Sequence, residues 1–301
     1  MDKQEKYFEK LNYDVVYIII SKFFLVDFRK WYKMSEINKQ FNRLVLLDIT
    51  TLVLKGINNN CKLVESIVNY LEKNTKLTTL YIINNGSIEQ DIKKITKALE
   101  INKTLTELYL GNTRFNTNDI AEVLKHNSTL ITLDLSYCLI CVKTIAEALK
   151  TSNRTLKTLY LKSNKIKSNE MIEIAKVLEI NETLTTLDLS YNNIGYNAAT
   201  AIAKALKTNE KLSTLLLNNT NMHSSEVVVI ANALKINYAL KSLNFSYNDV
   251  GYNGSIAIAE AVKINTTLTT LNLRFCNIGD DGAKAIREAL ETNTTIQIIT
   301  I

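Results

Sequence analysis

Proline is missing from all 301 residues of the chain, where average usage would supply about fifteen. Its absence excludes proline-rich linkers and docking segments of the PxxP kind. Set beside the abundant Asn, Lys, Ile and Tyr, it reads as the compositional drift of an AT-rich genome. Histidine is nearly missing too: His126 and His223 are the only two. Neither accompanies a nucleophile motif, a metal-ligand cluster or a Gly-rich phosphate loop, so an enzyme, a cofactor and a metal site are all unexpected. The cysteines are Cys61, Cys138, Cys141 and Cys276. Cys138 and Cys141 form a C-x-x-C, but no second pair completes a zinc site. Reduced, structural cysteines are therefore expected.

Charge is equally uninformative about polyanions. The net charge of +6 is spread along the chain without a run of five like charges, so neither nucleic acid nor a membrane is an expected partner. The first fourteen residues mix both signs before any apolar run, and no secretory leader is evident. The run from Val15 to Phe28 carries Lys22 and Asp27 and is too short to span a bilayer, so it reads as a buried helix. A cytoplasmic protein, of its own cell or of a host, is therefore expected. A hydrophobic fraction of 46% with 22% charged residues suits a soluble globular protein.

What the sequence has is repetition. A Leu-x-x-Leu-x-Leu phrase begins at Ile49, Leu77, Leu105, Leu130, Leu156, Leu184, Leu212, Leu240 and Leu268, and a tenth, truncated one at Ile296. The spacing is 28 residues except after Leu105 and Leu130, where it is 25 and 26. Such a period means stacked supersecondary units. In the repeat from Leu184 to Lys211, Leu187 and Leu189 alternate with Thr186, Asp188 and Ser190, the period of a half-buried strand. Asn192 suits the turn after it and Ile194 fills the space beneath. A helix follows with Ala199, Ile202, Ala203 and Leu206 on one face. Each helix is predicted to end at an asparagine, from Asn74 and Asn102 through Asn265 and Asn293, in the left-handed cap conformation. Glycosylation sequons at Asn102, Asn181 and Asn265 fall on that same closing position, so periodicity accounts for them. The two short repeats are predicted to lose about one helical turn between strand and helix.

These residues, with Leu-Asp-Leu-Ser-Tyr-Asn-Asn-Ile at 187–194 the closest match, resemble the leucine-rich repeats of the ribonuclease-inhibitor class. The resemblance covers residues 49–301 and implies an α/β solenoid: a parallel sheet inside a horseshoe, helices outside, over nine full repeats and a tenth strand. Cys138 and Cys276 stand where Asn192 and Asn248 stand in other repeats, and the resemblance implies that Asn or Cys there donates into the turn after the strand. Ten strands at about 4.8 Å give an inner arc of roughly 45 Å.

Residues 1–48 leave the repeat and are predicted to form a small all-α domain. Leu11, Val15, Ile19 and Phe23 share one helical face, and Met34, Ile37, Phe41 and Leu44 another. The segment resembles an F-box through Leu11, Asp14-Val15-Val16, Ile19-Ile20-Ser21, Phe23, Asp27-Phe28 and Ile37 to Leu44. That resemblance implies docking on a Skp-family adaptor of a cullin ubiquitin ligase through Leu11, Val15, Val16, Ile19 and Phe23, with the repeats receiving a target protein. The alternative is a helical cap over the first repeat's edge strand. With a mere cap, the chain would be a stoichiometric inhibitor of the ribonuclease-inhibitor kind or a Ran-type GTPase activator.

On the inner face one column of residues is nearly all threonine, and the next varies. Tyr81, Tyr109, Asp134, Tyr160, Asp188, Asn244 and Asn272 from the varied column, together with Arg274, are the candidate partner-binding residues. Large aromatics on a rigid sheet, mixed with acids, have the composition of interface anchors. Tyr137, Tyr191, Tyr247 and Phe275 lie further along and read more readily as ordinary repeat consensus.

Overall fold

The computed structural model describes residues 17–20, 24–27, 50–55, 61–83 and 85–300. Strands and helices alternate at the predicted period. The inner sheet contains β3 (Thr51–Lys55), β4 (Thr79–Ile83), β6 (Glu107–Tyr109), β8 (Thr132–Asp134), β9 (Thr158–Tyr160), β10 (Thr186–Asp188), β11 (Thr214–Leu216), β12 (Ser242–Asn244), β13 (Thr270–Asn272) and β14 (Ile298–Thr300). All ten are parallel neighbours in sequence order, with Leu52, Leu80, Leu108 and Leu133 of successive strands in register. Two short strands, β5 (Gly86–Ser87) and β7 (Thr113–Arg114), pair beside it.

Each strand returns through a helix: α1 (Cys61–Lys73), α2 (Glu89–Ile101), α3 (Thr117–His126), α4 (Val142–Thr151), α5 (Ser168–Ile180), α6 (Tyr196–Thr208), α7 (Ser224–Leu234), α8 (Gly251–Ile264) and α9 (Gly279–Thr292). Consecutive helices pack side by side. The face read from the sequence is the buried one: Ala199, Ile202, Ala203 and Leu206 meet the strand leucines Leu187 and Leu189 in one continuous core. Every strand leucine removed from water contributes about 1.5–3 kcal/mol, and the contribution is repeated along the stack. The short repeats take their deletion inside the helix. α3 and α4 have 10 residues where α2, α5 and α6 have 13, while the strand-to-helix distance is unchanged.

The closing asparagines depart from expectation. Asn102, Asn127, Asn181, Asn209, Asn265 and Asn293 have φ between −63° and −91° and ψ between 115° and 134°, which is extended rather than left-handed. Their side chains explain why. Asn209 Oδ1 accepts the backbone N–H groups of Lys211 and Leu212 at 2.9 and 2.7 Å, while its Nδ2 donates to Leu178 O at 2.7 Å, one repeat away. Asn102, Asn127, Asn237 and Asn265 reach the preceding helix in the same way, Nδ2 donating to Leu71, Leu99, Leu206 and Leu234 O. An extended backbone aims the amide at the neighbouring repeat, which a left-handed cap would not. Asn102 and Asn265, two of the sequon positions, are buried in this ladder.

A second ladder runs behind the strands. Asn192 Nδ2 donates to Leu161 O at 3.0 Å and its Oδ1 accepts Ile166 N–H at 3.1 Å. Asn248 does the same with Leu217 O and Met222 N–H. Cys138 Sγ donates to Leu110 O at 3.1 Å and Cys276 Sγ to Phe245 O at 3.2 Å, so both thiols take the amide's place as the resemblance implies.

At the N-terminal end the structure corrects the all-α reading at two places. β1 (Tyr17–Ile20) and β2 (Phe24–Asp27) form an antiparallel hairpin, and β1 pairs antiparallel with β3, from Tyr17 opposite Lys55 to Ile20 opposite Leu52. Tyr-Ile-Ile-Ile is β-prone, and the open edge of β3 offers unpaired backbone groups for it to satisfy. Ile19, assigned to a helical adaptor face, is therefore a strand residue. Leu11, Val15, Val16 and Phe23 lie outside the described residues, as do 28–49.

Candidate recognition surface

The varied column forms one row across the sheet. Val53, Tyr81, Tyr109, Asp134, Tyr160, Asp188, Leu216, Asn244 and Asn272 are successive register partners. Two kinds of residue alternate in function along it. The acids and amides turn back on their own strand ends: Asp134 Oδ1 accepts Ser136 N–H at 2.8 Å and Asp188 Oδ1 accepts Ser190 N–H at 2.8 Å. Asn244 and Asn272 accept Ser246 and Arg274 N–H in the same way. These side chains set the turn first, and Asp188 is only 7% exposed.

Two of the tyrosines pack against each other instead. Tyr81 and Tyr109 stack with ring centroids 4.3 Å apart and planes within 8°. Tyr109 donates its hydroxyl to Glu107 Oε2 at 3.3 Å, and Thr79 Oγ1 donates to the same oxygen at 3.2 Å. Burial, then the Glu107 charge, holds the Tyr109 hydroxyl far above its ordinary range. At Tyr160 burial acts first, followed by Asp134, Asp188 and Glu107, and the hydroxyl is likewise pushed up. Burial raises the Asp134 carboxyl against the opposing pull of Ser136. The row between β6 and β10 is thus a half-buried, tyrosine-lined strip with a negative field.

A second set of aromatics, more exposed than the strand row, stands elsewhere. Tyr137, Tyr191, Tyr247 and Phe275, 43–58% exposed, lie on the rim where the strands end and the helices begin. Their φ values are 60°, 58°, 61° and 57°, in the left-handed region, which costs an L-residue roughly 1–2 kcal/mol. Asn112 and Asn219 hold the same position with φ 55° and 51°, as short polar side chains do more readily. The left-handed turn swings each ring out of the stack. Lys162 lies between two of them, its Nζ 5.8 Å from the Tyr137 ring and 5.0 Å from the Tyr191 ring. Tyr247 and Phe275 are 4.8 Å apart, and the Arg274 guanidinium sits 4.8 Å from the Phe275 ring. Arg274 thus belongs with the rim and not with the strand row. The available sequence signal was position: each ring immediately precedes a second-ladder residue, where Asn112 and Asn219 stand in other repeats.

No cluster of three or more His, Cys, Asp or Glu that could hold a metal occurs among the described residues. No described helix is long and apolar enough to cross a membrane. His223 Nδ1 lies 3.2 Å from Asp249 Oδ2 on the exposed rim. That contact and Asn277, the larger influence, hold the Asp249 carboxyl below its ordinary value.

A family model described as Leucine Rich repeat matches residues 152–175, 181–203, 239–259 and 265–286. No curated protein matches the chain. Among solved structures, the leucine-rich repeat-containing protein LegL7 from Legionella pneumophila is similar at 18% identity, covering 89% of this chain and 87% of that one with a TM-score of 0.56. A chain of the yeast Rad7–Elc1 complex is 16% identical, covering 86% of this chain and 72% of its own, with a TM-score of 0.49. Leiomodin-1 actin-binding site 2 is 23% identical over 49% of this chain and 86% of its own, with a TM-score of 0.45. The matched segments fall on strand–helix units of the stack, and the fold of the chain is a leucine-rich-repeat solenoid.

Proposed function

We propose that the chain is a protein-recognition module, built as repeats of the ribonuclease-inhibitor class, whose concave row and aromatic rim hold a second protein. The observation that carries this reading is the rim. Four large rings stand half-exposed in a backbone conformation unfavourable to them, at one repeat position of the rim. Backbone strain persisting on an exposed surface points to use of that surface. A rigid sheet also holds anchors without ordering cost at binding. The test is retention of a defined protein by immobilised full-length chain. Tyr137→Ala with Tyr191→Ala should lower affinity by about thirtyfold, the effect of an anchor of about 2 kcal/mol, at unchanged thermal midpoint. Unchanged retention by that variant would contradict the rim assignment.

The receptor reading concerns the other end. The F-box resemblance supports residues 1–48 as the site held by a Skp-family adaptor and its cullin, which leaves the concave face free for a target. The strands at 17–20 and 24–27 withdraw Ile19 from a helical contact face. Leu11, Val15, Val16 and Phe23 remain as the adaptor contacts. Leu11→Ala with Val15→Ala should abolish adaptor pull-down without changing far-UV circular dichroism. If wild-type protein binds no Skp-family adaptor at micromolar concentration, the segment only extends and covers the sheet.

A further inference from the structure

Four consecutive rim loops, residues 135–141, 161–167, 189–195 and 217–223, contain Lys162, Lys165 and Lys167 and not one Asp or Glu. The carboxylates of the helices that follow are engaged or absent. α4 and α6 have no acid in the first turn. Glu170 Oε2 accepts the Lys167 backbone N–H at 3.0 Å, and Glu226 is buried, accepting His223 N–H and Ser225 Oγ. Lys165 and Lys167 are exposed, and no described carboxylate lies within ion-pair distance of either. The helix N-termini at this rim add partial positive charge. A shallow recess of about 500 Å³ opens there, lined by Lys165, Lys167, Tyr191, Asn193, Asn219 and Asn221.

We propose that this recess takes a short acidic segment of the partner protein, its carboxylates against Lys165 and Lys167 and an apolar side chain against the Tyr137–Lys162–Tyr191 stack. The inference rests on the protein-recognition reading and adds the partner's chemistry. Charge complementarity selects an anion, because no carboxylate of these loops competes for the lysines. The amides of Asn193, Asn219 and Asn221 offer donors and acceptors to an extended backbone, and the exposed Tyr191 ring offers an apolar face beside the charges. A long polyanion is disfavoured. Next to the rim, Asp134 and Asp188 on the concave row would repel a phosphate backbone continuing inward, whereas a segment of a few residues stays on the lysines.

The experiment is fluorescence anisotropy with full-length chain and a labelled peptide of Glu, Asp and Leu. The controls are the same peptide with Lys for each acid and a single-stranded oligonucleotide of matched charge. The acidic peptide should bind saturably and more weakly as salt rises. Lys165→Glu with Lys167→Glu should lower its affinity by at least about tenfold at unchanged thermal midpoint, both side chains being exposed. Tyr191→Ala should weaken binding at unchanged salt dependence. Absence of saturable binding, equal binding by the double lysine variant, or tighter binding of the lysine peptide or the oligonucleotide would each overturn the proposal. Applying the variants to the protein-retention test separates the two readings. A partner retained equally by wild type and the double lysine variant overturns the acidic-segment assignment alone. A partner whose retention depends neither on these lysines nor on Tyr137 and Tyr191 overturns both.

Discussion

At the scale of single residues, the same repeat position takes Asn or Tyr with opposite consequences. Tyr191 and Asn219 share a left-handed φ near 55°, which Asn tolerates better than an aromatic residue. Tyr191→Asn should therefore raise stability toward urea by about 1 kcal/mol while weakening partner binding. A fall in stability would show that the ring's contact with Lys162 outweighs its backbone strain. The shared repeat position was legible in sequence; the left-handed geometry was not, since it is set by the turn around the ring. Tyr81 and Tyr109, singled out for their variable column, are half-buried and stack on each other.

The cysteines divide in the same way. Burial pushes the Cys138 thiol from 9.0 up to about 12 and the Cys276 thiol from 9.0 up to about 11. Cys141 is exposed, and Thr144 lowers its pKa. A maleimide at pH 8 should modify Cys141 in folded protein and reach Cys138 and Cys276 only after unfolding, as peptide mass mapping would show. The raised thiols also imply a direction with pH. Their stabilising contribution is complete below pH 9, where both states hold the proton, and is lost as pH rises toward 11–12 and only the unfolded thiol ionises. Cys138→Thr, the residue used at Thr113 and Thr220, should flatten that alkaline loss and keep a donor in the ladder.

At the scale of elements, what the sequence repeats was legible and what neighbours decide was not. Strand register and the buried helix face follow from periodicity alone, and Leu187, Leu189, Ile202 and Leu206 all reach the core. The closing asparagines were legible as helix ends but neither in conformation nor as a ladder, because the bond from Asn209 Nδ2 to Leu178 O exists only once two repeats are stacked. Asn209→Ala should leave that carbonyl and two backbone N–H groups unpaired, and cost about 2–4 kcal/mol by urea unfolding. Asn219→Ala, exposed, should cost about 1 kcal/mol. Similar losses at both sites would contradict the ladder's role. The N-terminal hairpin was missed for a related reason: the four-residue apolar spacing of Leu11, Val15, Ile19 and Phe23 fits a helix, and only the edge of β3 favours Tyr17–Ile20 as a strand.

For the molecule as a whole, stability comes from interfaces between repeats, each strand and helix touching chiefly its neighbours in sequence. β14 holds on one side, through Leu271 opposite Ile299, and Ile298 is exposed. Ile298→Lys should raise solubility without loss of fold, whereas unfolding would show Ile298 to be part of a buried contact. The rigid recognition surface depends on the repeats acting as one stack, with a single core running behind the concave row. Leu189 is fully buried in that core, where a carboxylate would have neither solvent nor partner. Hydrogen exchange of Leu189→Asp is the most direct measurement of that dependence. Protection should be lost together across residues 184–211 and the repeats on either side. Loss confined to 184–211, with β9 and β11 still protected, would contradict a continuous stack.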